Sequence, residues 1–406
     1  MRDHGIRTIP YGRQWIDDDD IQSVVDVLKS DWLTQGPKIK EFEEKFSDYC
    51  GSKFAVSVTS GTAALHLSCL AAGLGRNDEV ITSPITFAAS SNCALYVGAT
   101  PVFIDIDPDT LCIDHHKLEE YLDGKSSAGH PSSTTKPKAV IPVHFAGLPC
   151  SMEEISKSAR QHGLVVIEDA CHAHGARYVS GERVGSCKHS DMTVFSFHPL
   201  KHITTGEGGM ITTNNPELYE KLLLLRTHGI RKNNVQSFGC HEAYYYEMQL
   251  LGFNYRLNDM QCALGISQLK KLDAFLEKRN EIAHYYLHAF QDLADDLILP
   301  PHHDGHAWHL FIIQLKTGSR DRAFRRLKEN GIGVQVHYIP VYLFPHYREM
   351  GFGEGLCPHS EEYFSKAITL PLYPLMERAE MERVVDEVFR TLRKERMNRE
   401  YAGQVI

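Results

Sequence analysis

The chain has 406 residues, of which 42% are hydrophobic and 23% charged, and a formal net charge of −9. That length fills about two or three domains of ordinary size, and the composition supports a sizeable core. A mildly acidic chain has no electrostatic pull towards nucleic acid or an anionic membrane, and no apolar run reaches the roughly 18 residues of a spanning helix.

Residues 1–20 lack the apolar core of a secretory signal. The ten cysteines stand singly, without a C-x-x-C pair, and several lie within apolar periodic segments, as reduced core thiols do. The expectation is a cytoplasmic protein. An opening arm at 9–14 leads into helical patterns at 20–28 and 37–49, and the acidic run 17–20 suits the first turn of a helix through its dipole. Strand and helix patterns then alternate. Strands are expected at 54–58, 79–82, 100–104, 139–143, 164–168, 192–197 and 210–213. Helices are expected at 62–72, 87–96, 118–121 and 151–162. This alternation predicts an α/β layer structure with a mostly parallel sheet. The stretch 123–138, rich in Ser, Thr, Gly, Pro and Lys, reads as a mobile surface loop. A long helical region at 257–290 carries the chain out of the large domain, and a smaller α+β unit follows, with strands near 311–315 and 333–337. The division predicted is 1–265 for the arm and large domain and 266–406 for the connecting helix and small domain.

Three segments carry chemistry. In Ser57-Val58-Thr59-Ser60-Gly61-Thr62-Ala63-Ala64, a strand ends in a small turn that opens a helix, an arrangement whose free N–H groups bind anions. An ordinary helix cap at Thr59 or Ser60 would give the same pattern. The run Leu164-Val165-Val166-Ile167-Glu168-Asp169 ends in two acids at the sheet's carboxyl edge, where open α/β sheets place ligands. A carboxylate there can pair with a protonated ring nitrogen; a strand-end acid capping the next turn is the plainer reading. In Phe195-Ser196-Phe197-His198-Pro199-Leu200-Lys201, followed by Gly206-Glu207-Gly208-Gly209, a lysine lies between two apolar strands. A desolvated lysine is a nucleophile for carbonyls, although most loop lysines are surface residues. Together the three place a phosphate turn, a ring-nitrogen acid and a Schiff-base lysine along one α/β domain. Pyridoxal 5′-phosphate (PLP) is the cofactor that needs all three.

At these residues the chain resembles the DegT/DnrJ/EryC1/StrS sugar aminotransferases, which have fold type I, the aspartate-aminotransferase-like PLP-transferase fold. The resemblance runs from Leu33-Thr34-Gln35-Gly36 through the three segments to Asn254-Tyr255-Arg256-Leu257-Asn258-Asp259 and Val336-His337-Tyr338. It implies that Gly61, Thr62 and Ser196 bind the cofactor phosphate and that Phe87 stacks on the pyridine ring. Asp169 would pair with the ring nitrogen, His172 would lie near the 3-hydroxyl, and Lys201 would form the Schiff base. Asn254 would reach the phosphate of a partner subunit's cofactor, which implies a homodimer with shared sites. Within the family the segments look most like the C4-aminotransferases of pseudaminic acid biosynthesis. That likeness implies ping-pong transfer from glutamate, through pyridoxamine phosphate, to a UDP-linked 4-keto-6-deoxy-N-acetylhexosamine, with His337 and Tyr338 on the sugar side. The inserts 123–138 and 232–246 are long for that group, and the second lies near where substrate should enter. Other keto-sugar nucleotides remain alternatives.

Rival readings are weaker. PLP-dependent sugar dehydratases of the family carry histidine where Lys201 stands, and a PLP-binding regulator would carry a basic DNA-binding region. Neither His172-Ala173-His174 nor His302, His303, His306 and His309 has the regularity of metal ligands, so no metal is expected and the latter four read as a polar loop.

Overall fold

The computed structural model describes residues 8–125, 136–232, 242, 244–301 and 303–403. The expected loop at 123–138 and the insert 232–246 fall largely outside them. Two helices open the chain: α1 (Asp18–Leu28) and α2 (Pro37–Cys50). The acidic run starts α1 as the composition suggests. Asp17 caps it by accepting the Asp20 N–H, and Asp20 returns the bond to the Asp17 N–H. Asp20 is then buried, and its Oδ2 lies 2.6 Å from Lys271 Nζ and 2.7 Å from Gln268 Nε2.

Alternation begins with β1 (Phe54–Val58) and α3 (Gly61–Ala71), then β2 (Asp78–Thr82), α4 (Ala89–Tyr96), β3 (Thr100–Phe103) and α5 (His115–Leu122). It continues through β4 (Lys136–Ile141), α6 (Met152–Gln161), β5 (Val165–Asp169), β6 (Met192–Ser196), β7 (Gly209–Thr213) and α7 (Pro216–Arg226). These seven strands form one sheet in the order β1-β7-β6-β5-β4-β2-β3, and only β7 runs antiparallel to its neighbours. The fold class is therefore as expected: α/β, fold type I, with a large mostly parallel sheet.

Both faces of the sheet are buried, because neighbouring strand residues point to opposite sides. Val166, Phe195 and Met210 meet Phe42 and Phe46 of α2 and Ile155 of α6. Ile167, Val194 and Ile211 meet Leu65 of α3, Cys93 of α4 and Leu222 of α7. The nine described cysteines are unpaired and all but Cys171 are buried.

After the short hairpin β8 (Ile230–Arg231) and β9 (Glu247–Met248), the expected single helix over 257–290 is two helices, α8 (Asp259–Leu269) and α9 (Leu272–Phe290). Asn258 caps α8, and the chain turns at Lys270-Lys271, where the Lys271 amine is held by Asp17 and Asp20. A second core then gathers around the antiparallel sheet of β10 (Leu297–Ile298), β11 (Phe311–Leu315) and β12 (Ala367–Leu370). It is covered by α9, α10 (Arg320–Glu329) and α13 (Arg378–Gly403), while α11 (Pro345–Glu349) packs through Tyr347 on Phe103 of β3, and α12 (Pro358–Lys366) touches β11 and sends Tyr363 into the first core. The strand expected at 333–337 does not form. Its backbone is divided between two partners, with Gly333 N–H donating to Ile9 O of the arm (2.7 Å) and Gln335 making one two-way bridge to Thr369. The segment is thereby bent around the cavity instead of laddered into the sheet.

Helix α9 spans the two cores, with Leu272 and Phe275 in the first and Ile282 and Tyr286 in the second, and Arg279 lies between them. Its buried guanidinium donates to the carbonyls of Trp308, His309 and Leu372 at 3.2–3.3 Å, and burial lowers its pKa to about 9. Arg279→Met should leave those carbonyls unsatisfied and cost about 2–4 kcal/mol of stability; chemical denaturation of the two proteins checks this.

Candidate active site

The parallel strands end on one edge, where a cavity of about 540 Å³ opens. The first helix of the alternation supplies its floor. Ser60 caps α3 by accepting the Ala63 N–H at 3.1 Å, so capping and an anion site coexist: the first-turn N–H groups at Gly61 and Thr62 have no helical partner. A Cβ at Gly61 would approach Ser196 Cβ to 2.9 Å and Cys171 Sγ to 3.1 Å. Only glycine lets the helix start this close to the ends of β5 and β6.

Asp169 ends β5 and is nearly buried. Its Oδ1 accepts the Cys171 N–H at 3.1 Å, and its Oδ2 accepts the Ser90 hydroxyl at 2.6 Å. Lys201 follows β6 in a short turn in which its N–H donates to His198 O. Burial pushes its ammonium pKa down, opposed by the nearby Cys171 and Asp169. A lysine so placed is more readily the free amine that attacks a carbonyl.

His172 lines the cavity with Nε2 3.2 Å from the hydroxyl of Tyr338, which arrives from the small-sheet side. His172 Nδ1 is buried without a partner among the described residues. His337 Nδ1 lies 2.9 Å from Thr369 Oγ1, and its carbonyl accepts the Tyr363 hydroxyl. Phe87 is 63% exposed and faces Tyr338 across the cavity, with ring centroids 6.5 Å apart.

Nine of the ten residues singled out in the sequence therefore share one cavity: Gly61, Thr62, Phe87, Asp169, His172, Ser196, Lys201, His337 and Tyr338. Asn254 does not line it. Asn254 is exposed and its backbone bridges to Thr227.

Sequence reasoning missed three contributors. Tyr11 of the arm lies 5.6 Å from the His337 ring, a contact no local pattern reveals. Ser90 is buried, and its i,i+4 spacing from Thr86 was the available signal. His309 was read as part of a polar loop. Instead it is buried against the site, its ring 4.3 Å from that of His172 and 5.3 Å from that of His202, which in turn lies 5.4 Å from His174. The correction has a physical basis, since Ala307, His309 and Leu310 bond to Gly147 and Ala146 and draw the segment inward. Among the described residues, no cluster of three or more His, Cys, Asp or Glu is arranged to hold a metal.

The residues present fit PLP. The N-terminus of α3 with the Ser196 hydroxyl suits a phosphate, the Asp169 carboxylate suits a protonated ring nitrogen, and a half-buried lysine stands on the same cavity. Comparison with known proteins agrees. The pattern of the DegT/DnrJ/EryC1/StrS aminotransferase family matches residues 14–389.

The chain belongs to that family. It is 42% identical over 388 residues to the spore coat polysaccharide biosynthesis protein SpsC of Bacillus subtilis, covering 94% of this chain and 96% of SpsC. Its fold matches Helicobacter pylori PseC, an aminotransferase involved in the biosynthesis of pseudoaminic acid, with a TM-score of 0.84 and 31% identity over 96% of this chain and all of that one. Spr1654 of Streptococcus pneumoniae, described as a putative sugar aminotransferase, matches in its PMP form at a TM-score of 0.87 and 28% identity over 97% of this chain and all of that one. This DegT-family chain is a PLP-dependent sugar aminotransferase acting on small molecules. Among its described residues no helix is long and apolar enough to cross a membrane.

The histidines around the site set its pH behaviour. Burial first, and Lys201 beside them, lowers the pKa of His337 to about 3; burial with Lys201 and Arg279 does the same for His174. His172, His202 and His309 are also pushed well below the ordinary value of 6.5, chiefly by burial. These depressed values mean that the unfolded chain binds more protons than the folded one between about pH 3 and 6.5, so stability falls as pH drops through that window. Each such group changes stability by up to about 1.4 kcal/mol per pH unit. Melting temperature should fall between pH 7.5 and 5.5, and His174→Leu, in a site walled by Phe195 and Phe197, should reduce that dependence.

Proposed function

We propose that this aminotransferase moves an amino group from glutamate to C4 of a UDP-linked 4-keto-6-deoxy-N-acetylhexosamine, as in pseudaminic acid biosynthesis. The observation that carries the reading is the convergence of Lys201, Asp169 and the N-terminus of α3 on one cavity, in a chain that shares its fold with PseC along almost its whole length. Bound PLP supplies the electron sink and carries the amino group between the two substrates.

The chain's own residues divide the remaining work. Gly61 and Thr62 with Ser196 would hold the phosphate, and Phe87 would cover the ring. Asp169 keeps the ring nitrogen protonated. Lys201 Nζ would anchor the cofactor, and as a free amine, which burial favours, it would take the proton from glutamate Cα. His172, with its Nε2 tied to Tyr338, presents an imidazole to the 3-hydroxyl side. The same lysine serves the second half-reaction in reverse, after 2-oxoglutarate has left. His337 and Tyr338 face the sugar. The arm and the large cofactor-binding domain take residues 1–265, and the connecting helix and the small domain take residues 266–406. Asn254, exposed and outside its own cavity, completes the site of a second copy in a cytoplasmic homodimer. The 42% identity to SpsC supports a second reading, a different keto-sugar nucleotide destined for a coat polysaccharide.

With PLP bound, adding glutamate should shift the visible absorbance band to the pyridoxamine form in the wild type and not in Lys201→Ala, which should lose at least about 10²–10⁴-fold in kcat. A band indifferent to both would overturn the assignment of Lys201. Among UDP-4-keto-6-deoxy sugars, the N-acetylhexosamine should restore the band best. His337→Ala should raise its KM by about 10–100-fold while leaving the glutamate half-reaction within a few-fold, as separate half-reaction kinetics would show.

A further inference from the structure

Ser90 lies in the first turn of α4, wholly buried, in a run of small residues that reads as packing. Its Oγ is 2.6 Å from Asp169 Oδ2 and 2.7 Å from Thr86 Oγ1. Ser90 has one proton and two acceptors in reach, the Phe87 carbonyl at 3.3 Å and Asp169 Oδ2 at 2.6 Å; the short contact to a carboxylate, which only accepts, takes the proton, and Thr86 donates to Ser90. The order is Thr86 O–H to Ser90 O–H to Asp169 Oδ2. On the other oxygen, the Cys171 N–H donates to Oδ1 at 3.1 Å. Each carboxylate oxygen thus has one donor fixed by the chain itself and a lone pair left over. Two donors on opposite oxygens, one from α4 and one from the backbone after β5, prevent rotation about the Cβ–Cγ bond. The turn that holds Ser90 also carries Phe87, so ring face and ring nitrogen are registered by the same five residues, 86–90.

We infer that Ser90, backed by Thr86, is a positioning residue that locks the Asp169 carboxylate towards the cofactor's ring nitrogen. The inference rests on the role given to Asp169 under Proposed function. Without Ser90 the carboxylate gains a second rotamer, and its bond to the ring nitrogen lengthens or is shared with water.

The test loads the full-length protein with PLP carrying ¹⁵N in the ring and reads the nitrogen resonance, alongside steady-state kinetics. Wild type should show the protonated nitrogen. Ser90→Ala should move the resonance towards the unprotonated position and lower kcat by about 10–100-fold, the worth of one hydrogen bond to a charged group. KM for glutamate should stay within about twofold of wild type, because the loss is felt in the transition state. Ser90→Thr, which keeps the hydroxyl, should restore both readouts. Thr86→Val should shift the resonance in the same direction by less, and it supplies the answer if Ser90→Ala does not fold. Asp169→Asn separates the two claims. If it moves the resonance while Ser90→Ala and Thr86→Val leave it at the wild-type position, Ser90 has no positioning role. If Asp169→Asn itself leaves the nitrogen protonated, the role of Asp169 fails first and the inference about Ser90 falls with it.

Discussion

The carboxylate of Glu168 is wholly buried at the end of β5, and the site depends on how it is satisfied. It accepts hydrogen bonds from the Ser190 hydroxyl at 2.5 Å, His144 Nε2 at 2.7 Å, the Tyr178 hydroxyl at 2.7 Å and the Thr193 hydroxyl at 3.1 Å. His144 Nδ1 accepts the Cys150 N–H at 3.0 Å, which places the ring proton on Nε2, facing the acid. Burial alone would raise the carboxyl's pKa; the bonds from His144, Ser190 and Tyr178 hold it below the ordinary value. A buried carboxylate short of donors costs several kcal/mol. The segment after β4, the loop after β5 and the start of β6 must therefore all be in place together. Side chains alternate along a strand, so fixing Glu168 on one face turns Asp169 to the other, towards α4 and the cavity. The His144 N–H also holds the Asp169 carbonyl at 3.1 Å.

A second constraint is the burial of the groups behind the cavity. His172, His309, His202 and His174 form a file of neighbouring rings from the cavity wall to Phe195 and Phe197. Burial keeps them neutral, and the same burial lowers the pKa of Lys201. The wall that makes the lysine a better nucleophile is thus the one that makes the protein sensitive to acid. Arg279 closes the far side by binding the carbonyls on either side of His309, a cation paired with backbone where a carboxylate would be expected.

Much of the large domain was legible because its strands are short apolar runs ending in polar turns. The expected strand 54–58 is β1 itself, and the other six strands of the sheet differ from expectation by one to three residues at an end. The helix expected over 257–290 broke because Lys270 and Lys271 fit a helical pattern as well as a turn. The place of Lys271 was decided by Asp17 and Asp20, more than 250 positions away. The strand expected at 333–337 had the right composition and no free ladder, since the arm at Ile9 took one of its backbone partners. His309 was misread for the same reason: polarity in a Pro/Gly/Asp stretch predicts exposure, and only the pull of Ala146 and Gly147 buries it.

What the sequence determined by itself is the chemistry that each local motif can carry. A turn opening a helix binds anions, an acid ending a strand projects at the sheet's edge, and a lysine between apolar strands is desolvated; each follows from neighbours a few residues apart. The tertiary structure alone decided how these are held and what completes them. Ser90 on Asp169, Tyr338 on His172 and Tyr11 beside His337 join residues 79 to 326 positions apart, contacts that strand order and the packing of the small sheet against the large one create. Local pattern names the groups because propensity and burial act over short range. Their mutual geometry comes from the sheet order and from buried polar groups that must find partners wherever the fold puts them.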